Sequence, residues 1–335
     1  MHIRIRLLGL LLAATASGAA AEPLRIVATI PDLGDLAARI GGADVSVTTL
    51  VKGPQDAHFL EPRPSFVRAM HEANLFVLNG MELEIGWVPP LLQSARNPDI
   101  LPGGPGYVDA SRAVVPIEVP AAVSRAMGDV HPQGNPHYLT DPCNGLRVAA
   151  LVRDRLAERD PAHAAEFAER YRAFGAELAA RLVGADAARG KDPEAIVRAV
   201  EEGRIESLLG APPDGWLGAV RGPVRDTVED HKLWEYFARR FGLRPVATLE
   251  PLPGVAPTTS HLAEVVERMK ADHVKLILSS VYFDPRHAAW VAERTGARIV
   301  PLAHQVGARA GTDDYLAAID ANVRALAEAI GPHGS

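Results

Sequence analysis

Three histidines occur in turn-like segments, each of which follows a strand-like stretch. His58 lies in GPQDAHFLEPRPS, His137 in GNPHYLTDP and His231 in VEDHKLWEYFARRFGL. Imidazole is a frequent zinc ligand, and three imidazoles leave one position of a tetrahedral site open. An isolated histidine is more often a structural or solvated residue. The spacing alone therefore leaves metal binding and a structural role about equally open.

The elements that must position these histidines alternate between strand and helix patterns. β-branched runs such as LRIVATI are followed by amphipathic helical segments, which predicts mostly parallel sheets covered by helices. In open α/β sheets the loops at the carboxyl ends of the strands form the ligand crevice, so three such loops can converge on one point. Strands are predicted at residues 24–30, 45–51, 75–78, 107–109, 224–227, 246–249, 274–278 and 298–300.

The length of the chain predicts two domains, each large enough to bury its own core. Residues 22–150 are predicted to form an N-terminal α/β lobe, residues 151–183 linking helices, and residues 223–335 a C-terminal α/β lobe. Residues 184–222 between them are rich in Gly, Ala, Asp and Pro, which indicates an insertion or linker rather than part of a sheet. The predicted fold class is thus α/β with two lobes.

Residues 1–21 have the features of a cleavable secretory signal peptide. A basic start and an apolar run precede small residues, with Ala19 and Ala21 placed for cleavage before Glu22. We therefore expect a periplasmic protein that is not inserted in the membrane after signal removal. The single cysteine, Cys143, excludes an internal disulfide and a thiolate zinc cluster. A net charge of -6 gives no electrostatic reason to expect nucleic acid as a partner.

Two carboxylates near the histidines raise the possibility of catalysis. His58 and Glu61 form H-x-x-E, but Pro62 follows where one metalloprotease class has a second histidine, and H-E-x-x-H does not occur. Asp141, just before a proline, is predicted to cap the helix that begins near Asn144 or to position His137. No catalytic residue is predicted, and the chain is not expected to be an enzyme.

Four segments together resemble the zinc and manganese solute receptors of ABC importers, the cluster A-I or cluster 9 family. They are DAHFLEPRPS with ANLFVLNGMELE, then NPHYLTDP, then DHKLWEYFARRFGL, and a C-terminal DYLAAIDANVRALAEAI. The likeness covers nearly the whole mature chain. It implies two α/β lobes joined by a long linking helix with the metal site in the cleft. It also implies a partner, an ABC permease in the inner membrane, and we expect the receptor to be a monomer.

The resemblance implies that the histidines of the first three motifs are metal ligands: His58, His137 and His231. It also implies an acidic fourth ligand from the loop after the last strand of the second lobe. This sequence departs from that pattern, because RIVPLAHQVGARAGTDD has His304 near the expected position. His304 is favoured as the fourth ligand, and Asp313, Asp314, Glu61 or a water remain alternatives.

The resemblance favours Zn²⁺ as the transported ligand, since the third ligand is histidine in zinc receptors and a carboxylate in many manganese receptors. Many zinc receptors carry a His-rich loop before the second ligand, whereas residues 113–134 here contain only His131. His131 is either an accessory ligand or, as favoured here, a solvated loop residue. A manganese receptor, a periplasmic zinc hydrolase and a metallochaperone remain alternative functions.

Overall fold

The computed structural model describes residues 22–122, 131–252 and 254–331. The predicted signal peptide, residues 1–21, lies outside this range. Over the described residues, no helix combines the length and apolar character needed to cross a membrane.

The N-terminal lobe is built on a parallel sheet with strand order β2-β1-β3-β4. Every residue of β3 is buried, as expected for an inner strand covered on both faces, whereas β2 at the edge alternates between intermediate and exposed positions. The strands are β1 (Leu24–Ala28), β2 (Val45–Thr49), β3 (Leu75–Leu78) and β4 (Tyr107–Asp109). The helices that follow the first three strands are α1 (Pro31–Gly41), α2 (Pro64–His71) and α3 (Val88–Ala95).

Two long helices and four short ones connect the lobes. The long helices α4 (Pro142–Arg159) and α5 (Ala164–Val183) pack against each other and against α1. Residues 184–222 contain the short helices α6 (Ala185–Ala188), α7 (Pro193–Glu201), α8 (Ile205–Leu209) and α9 (Gly215–Ala219). Asp141 accepts a hydrogen bond from the backbone N–H of Cys143, which confirms that it caps α4.

The C-terminal lobe repeats the architecture with strand order β6-β5-β7-β8, again parallel. Its strands are β5 (Arg225–Glu229), β6 (Leu243–Thr248), β7 (Leu276–Ser280) and β8 (Arg298–Leu302). Its helices are α10 (Glu235–Arg240), α11 (Thr259–Ala271), α12 (Pro285–Thr295) and α13 (Tyr315–Ile330). The predicted α/β class, with two lobes of parallel strands, is confirmed.

An ion pair fastens the two lobes together beside α4. Arg240 donates two hydrogen bonds, of 2.9 and 2.8 Å, to the carboxylate of Asp141, and both side chains are nearly buried. Charged residues on helices usually face solvent, but Arg240 does not. The reason is that α10 packs against the turn that precedes α4, so its last turn meets the other lobe.

A second contact between the lobes holds the loop after β8 against the loop after β2. The buried side-chain amide of Gln305 donates to the backbone carbonyls of Lys52, Gly53 and Gln55, at 3.2, 3.0 and 2.9 Å. A Cβ on Gly53 would collide with the backbone of Gly307, so only glycine permits this approach. We call the contact between residues 52–55 and residues 304–307 the interlobe clasp.

Candidate metal centre

His58, His137 and His231 each lie in a loop that follows a strand. His58 is in the loop between β2 and α2, His137 is between β4 and α4, and His231 comes two residues after β5. All three loops leave the carboxyl ends of parallel strands, which is where ligand crevices form in such sheets. The structure thus brings the three histidines of the predicted site together from both lobes.

The loops are held by specific side-chain contacts. In the His137 loop, the Asn79 amide donates to the Pro136 carbonyl at 2.9 Å, and the Tyr138 hydroxyl donates to the Asn79 carbonyl at 2.6 Å. In the His231 loop, the Asp230 carboxylate accepts from the backbone N–H of His231 at 3.0 Å. These bonds are buried, so the backbone beside the two histidines is fixed by groups that have little access to water.

One nitrogen from each of the three rings lies within 4.8 Å of the other two. The ring centroids are 5.3 Å apart for His58 and His137, and 5.6 Å apart for the other two pairs. Two nitrogens bound to one tetrahedral zinc at about 2.0–2.1 Å lie about 3.3–3.4 Å apart. Small side-chain rotations would therefore bring the three rings to a common ion. Nε2 of His137 is buried and has no hydrogen-bond partner among the described residues.

Two carboxylates orient the rings of His58 and His231 by accepting hydrogen bonds from Nδ1 of each ring. Nδ1 of His58 donates to Asp56 Oδ1 at 2.7 Å, and Nδ1 of His231 donates to Glu250 Oε2 at 2.7 Å. A metal-binding histidine commonly donates its second ring nitrogen in this way, which fixes the tautomer and the ring orientation. Both bonds use Nδ1, so Nε2 is the nitrogen that could bind a metal. Sequence reasoning missed both carboxylates, although Asp56 is only two residues from His58.

Burial favours the neutral form of His137. The pKa of His137 is well below its ordinary value because the ring is buried, and because protonated His58 and His231 would repel it. Burial acts to raise the pKa of Asp56, but the hydrogen bonds and charge of His58 outweigh it, and the net shift is downward. Neutral imidazole beside an ionised carboxylate is the protonation state that metal binding requires.

His304 lies near this group but is not one of the three. Its Nε2 donates to the Gln55 carbonyl at 3.1 Å, within the interlobe clasp, and its Nδ1 is buried without a partner in the described structure. Burial lowers its pKa to about 4. His304 borders a small cavity of about 30 Å³ together with His58 and His137. The alternatives Glu61 and Asp313 are exposed, and neither belongs to the group of three.

His131 lies against His58, with a distance of 3.3 Å between their Nε2 atoms. Burial, together with the charges that His58 and His231 would carry, lowers its pKa to about 4. The prediction that His131 is a solvated loop residue is wrong, since its ring lies against the ring of His58. This contact depends on the tertiary fold, and the local sequence carries no signal for it.

Two larger cavities open beside the three histidines. One, of about 460 Å³, is bordered by His131, His137 and His231, with apolar walls that include Val119 and Leu252. The other, of about 310 Å³, is bordered by His58 and His231 and carries His287 at its rim. The histidine group is thus bordered by more than one opening of the cleft.

Two parallel α/β lobes with a histidine group in the cleft between them define a solute-binding receptor. The sequence profile of the family described as zinc-uptake complex component A, periplasmic (ZnuA), matches residues 26–183 and 218–329. The chain therefore belongs to this family, the metal-binding components of ABC uptake systems. The predicted family is confirmed, and so is the prediction that the chain is not an enzyme, since the family consists of receptors.

Curated relatives in this family are named for different metals. The chain is similar to the manganese-binding lipoprotein MntA of Halalkalibacterium halodurans, with 31% identity over 42% of this chain and 41% of MntA. It is 29% identical to the metal-binding lipoprotein SloC of Streptococcus mutans, over 52% of this chain and 54% of SloC. It is 22% identical to the iron-binding protein YfeA of Yersinia pestis, over 93% of this chain and 88% of YfeA. The chain thus spans about half the length of the first two relatives.

Solved structures show the same fold. A crystal structure of ZnuA superposes with a TM-score of 0.67 at 22% identity, covering 92% of this chain and all of that one. The manganese-bound periplasmic metal-binding protein of Candidatus Liberibacter asiaticus gives a TM-score of 0.67 at 20% identity, covering 91% of this chain and 99% of the other. At these identities the likeness concerns the fold alone.

Proposed function

We propose that this chain captures Zn²⁺ in the periplasm and delivers it to the permease of an ABC importer. The observation that carries the proposal is the convergence of His58, His137 and His231 from three loops and two lobes. The proposed permease partner and the divalent cargo follow from the family. The periplasmic location also rests on the predicted signal peptide at residues 1–21, and the receptor is proposed to act as a monomer.

The donor set favours zinc over manganese. The three grouped ligands are all imidazole nitrogens, and among the described residues no carboxylate belongs to the group. Asp56 and Glu250, the carboxylates in contact, bind the far side of the rings. Manganese prefers oxygen-rich sites, whereas imidazole suits zinc, which also binds nitrogen sites more tightly than manganese does.

We propose His304 as the fourth ligand. Its Nε2–H donates to the Gln55 carbonyl, so a neutral ring presents a bare Nδ1, which is buried without a partner in the described part of the chain. A metal–nitrogen bond would satisfy that atom. In this arrangement each lobe supplies two ligands, with His58 and His137 from the first lobe and His231 and His304 from the second.

Capture by this site is proposed to order loops more than to swing lobes. The interlobe clasp and the ion pair of Arg240 with Asp141 both join the two lobes. An opening that separated the lobes would have to break both contacts. Metal exchange at constant lobe geometry therefore needs movement only of the ligand side chains and their loops.

Competitive metal binding tests this function. The chain without residues 1–21 is stripped of metal, dialysed against equal Zn²⁺ and Mn²⁺, and analysed for bound metal. We expect one zinc per chain and negligible manganese, and loss of zinc from His137→Ala. His273→Ala is the matched control, because this exposed histidine lies outside the site. No tight zinc, or two equivalent zinc sites, would overturn the proposal.

A manganese receptor of the same family is the second candidate. It is favoured by the name of one relative, MntA, and by the manganese-bound state of one structural neighbour. Retention of manganese in the presence of equal zinc would establish this alternative. A metallochaperone would bind zinc equally well but would not stimulate ATP hydrolysis by a reconstituted cognate importer.

A further inference from the structure

Two neighbouring aromatic residues, Tyr282 and Phe283, lie in the loop between β7 and α12. Their ring centroids are 4.5 Å apart, and both side chains are half-buried. Strand β7 runs parallel to β5, so this loop leaves the same edge of the sheet as the loop of His231. The fold therefore brings an aromatic pair beside the second-lobe part of the histidine group.

Each ring of the pair packs against a different histidine of the second lobe. The Phe283 ring is stacked on that of His231, with an interplanar angle of 26° and centroids 5.7 Å apart. The Tyr282 ring meets the His304 ring in a T-shaped arrangement, at 75° and 4.7 Å. Stacked and T-shaped contacts at these distances are the ones that aromatic rings prefer. The two second-lobe histidines are thus joined through a continuous row of four rings.

This packing restrains a motion that hydrogen bonds leave open. Nδ1 of His231 donates to Glu250, and Nε2 of His304 donates to the Gln55 carbonyl. A ring that is held by its Cβ–Cγ bond and one hydrogen bond can still tilt about the line between those two points. A second ring packed against it resists the tilt, because ring atoms would collide. Side chains locked by packing in this way hold a binding geometry more precisely than hydrogen bonds alone.

Tyr282 also limits the space beside the histidine group. It borders the cavity of about 30 Å³ that His58, His137 and His304 share. That is roughly the volume of one water molecule in the liquid. Tyr282 is one of the side chains that also border the opening of about 310 Å³. Truncation of its ring would therefore enlarge the small cavity and admit more water to the histidines.

We propose that Tyr282 and Phe283 are positioning residues that set the coordination geometry, and with it the preference for zinc over manganese. They act through His231 and His304, whose rings they hold at fixed orientations. A fixed set of nitrogen donors with little added water suits four-coordinate zinc, whereas manganese prefers six oxygen-rich ligands. This inference rests on the proposed function, because it requires that both histidines bind the metal.

Substitutions at the pair separate the ring from the rest of the side chain. Phe283→Ala and Tyr282→Ala remove the two rings, while Phe283→Tyr and Tyr282→Phe keep a ring at each position. Phe283→Leu retains apolar volume without a flat face and replaces the alanine variant if that variant folds poorly. Trp290→Ala is the matched control, because this half-buried aromatic residue of α12 packs against Arg294 and lies outside the site.

Cobalt replaces zinc as the probe of geometry, because tetrahedral Co²⁺ absorbs visible light far more strongly than octahedral Co²⁺. We expect intense absorption from the parent and at least a threefold loss of intensity in Phe283→Ala and Tyr282→Ala. In the same variants the Kd for Zn²⁺ should rise at least tenfold and the Kd for Mn²⁺ should change less than threefold. The two variants that keep a ring, and Trp290→Ala, should retain the spectrum and the metal preference of the parent.

The other outcomes overturn the inference in distinguishable ways. A tetrahedral spectrum and an unchanged ratio of the two Kd values in both alanine variants would remove any role of the pair in geometry. The same loss in Trp290→Ala would attribute the effect to general destabilisation, which the melting temperatures of the metal-free variants would also report. An octahedral spectrum in the parent would contradict the four-coordinate site itself. If the parent bound neither Zn²⁺ nor Co²⁺, the proposed function would fail first.

Discussion

The carboxylate of Glu250 offers a sharp test of how the site is held together. Its Oε2 accepts from Nδ1 of His231 at 2.7 Å and from the backbone N–H of Gly254 at 3.2 Å. The side chains of His231 and Glu250 are only 8% and 9% exposed, so the bond between them is largely shielded from water. Glu250→Gln keeps the size and one acceptor oxygen but removes the charge and adds an N–H group beside the ring.

We expect Glu250→Gln to weaken zinc binding by about 10–100-fold, the usual effect of losing an outer carboxylate partner of a metal-binding histidine. That corresponds to about 1.4–2.7 kcal/mol. The physical reason is that metal binding at Nε2 draws electron density from the ring, which strengthens the Nδ1–H bond to a charged acceptor more than to a neutral one. The free protein should be affected less than the metal-bound one.

The measurement is a competition titration of zinc against a chelator at neutral pH, with the melting temperature of the metal-free protein as the check on folding. Glu61→Gln is the control, because Glu61 is an exposed carboxylate in the same loop as His58. An affinity of Glu250→Gln within twofold of the parent, in a folded protein, would refute the reasoning. Weaker binding by Glu61→Gln would instead make that carboxylate the missing ligand.

Three further outcomes are expected. Burial raises the pKa of Asp32 from 3.8 to about 7, so the folded state holds a proton that the unfolded state loses between these values, and stability falls as pH rises through this window. Asp32→Asn should remove this dependence of the free energy of unfolding on pH. Relative to the parent, the variant should become more stable by up to about 4 kcal/mol as the pH rises from about 4 to about 8, measured by urea unfolding. Arg240→Ala should lower the free energy of unfolding by about 3–5 kcal/mol, because Asp141 is left charged and buried; a loss below 1 kcal/mol in the same urea titration would contradict this. His304→Ala should weaken zinc binding at least tenfold while the fold persists, whereas the same loss in Asp313→Ala alone would make the fourth ligand a carboxylate.

Much of the fold follows from local sequence pattern, although most predicted strand ends differ from the observed ones by one or two residues, and the largest difference is instructive. Strands β3 and β4 begin and end where the pattern predicts them, because short apolar or alternating runs are bounded by turn residues. Strand β6 begins three residues earlier than predicted, at Leu243, because its pattern is interrupted by Pro245. Proline is tolerated there since β6 is an edge strand and the ladder to β5 shifts register next to it.

Some residues of the candidate site could be predicted from local sequence, and others could not. The three histidines could be predicted because each stands in a recognisable loop after a strand, and that information is local. His131 and Arg240 could not, because their partners His58 and Asp141 are 73 and 99 residues away in the chain. One feature of the sequence could have indicated Glu250. It lies just past the end of β6, at the same edge of the sheet as His231.

Because of the interlobe clasp, the position of His58 depends on both lobes. Covalently, His58 belongs to the N-terminal lobe, but the start of its loop is held by the amide of Gln305, a residue of the C-terminal lobe. The boundary between mechanical units therefore does not follow the boundary between the sheets. A half-molecule carrying the first lobe alone would keep the histidine and lose the support that aims it, so the centre cannot be transplanted lobe by lobe.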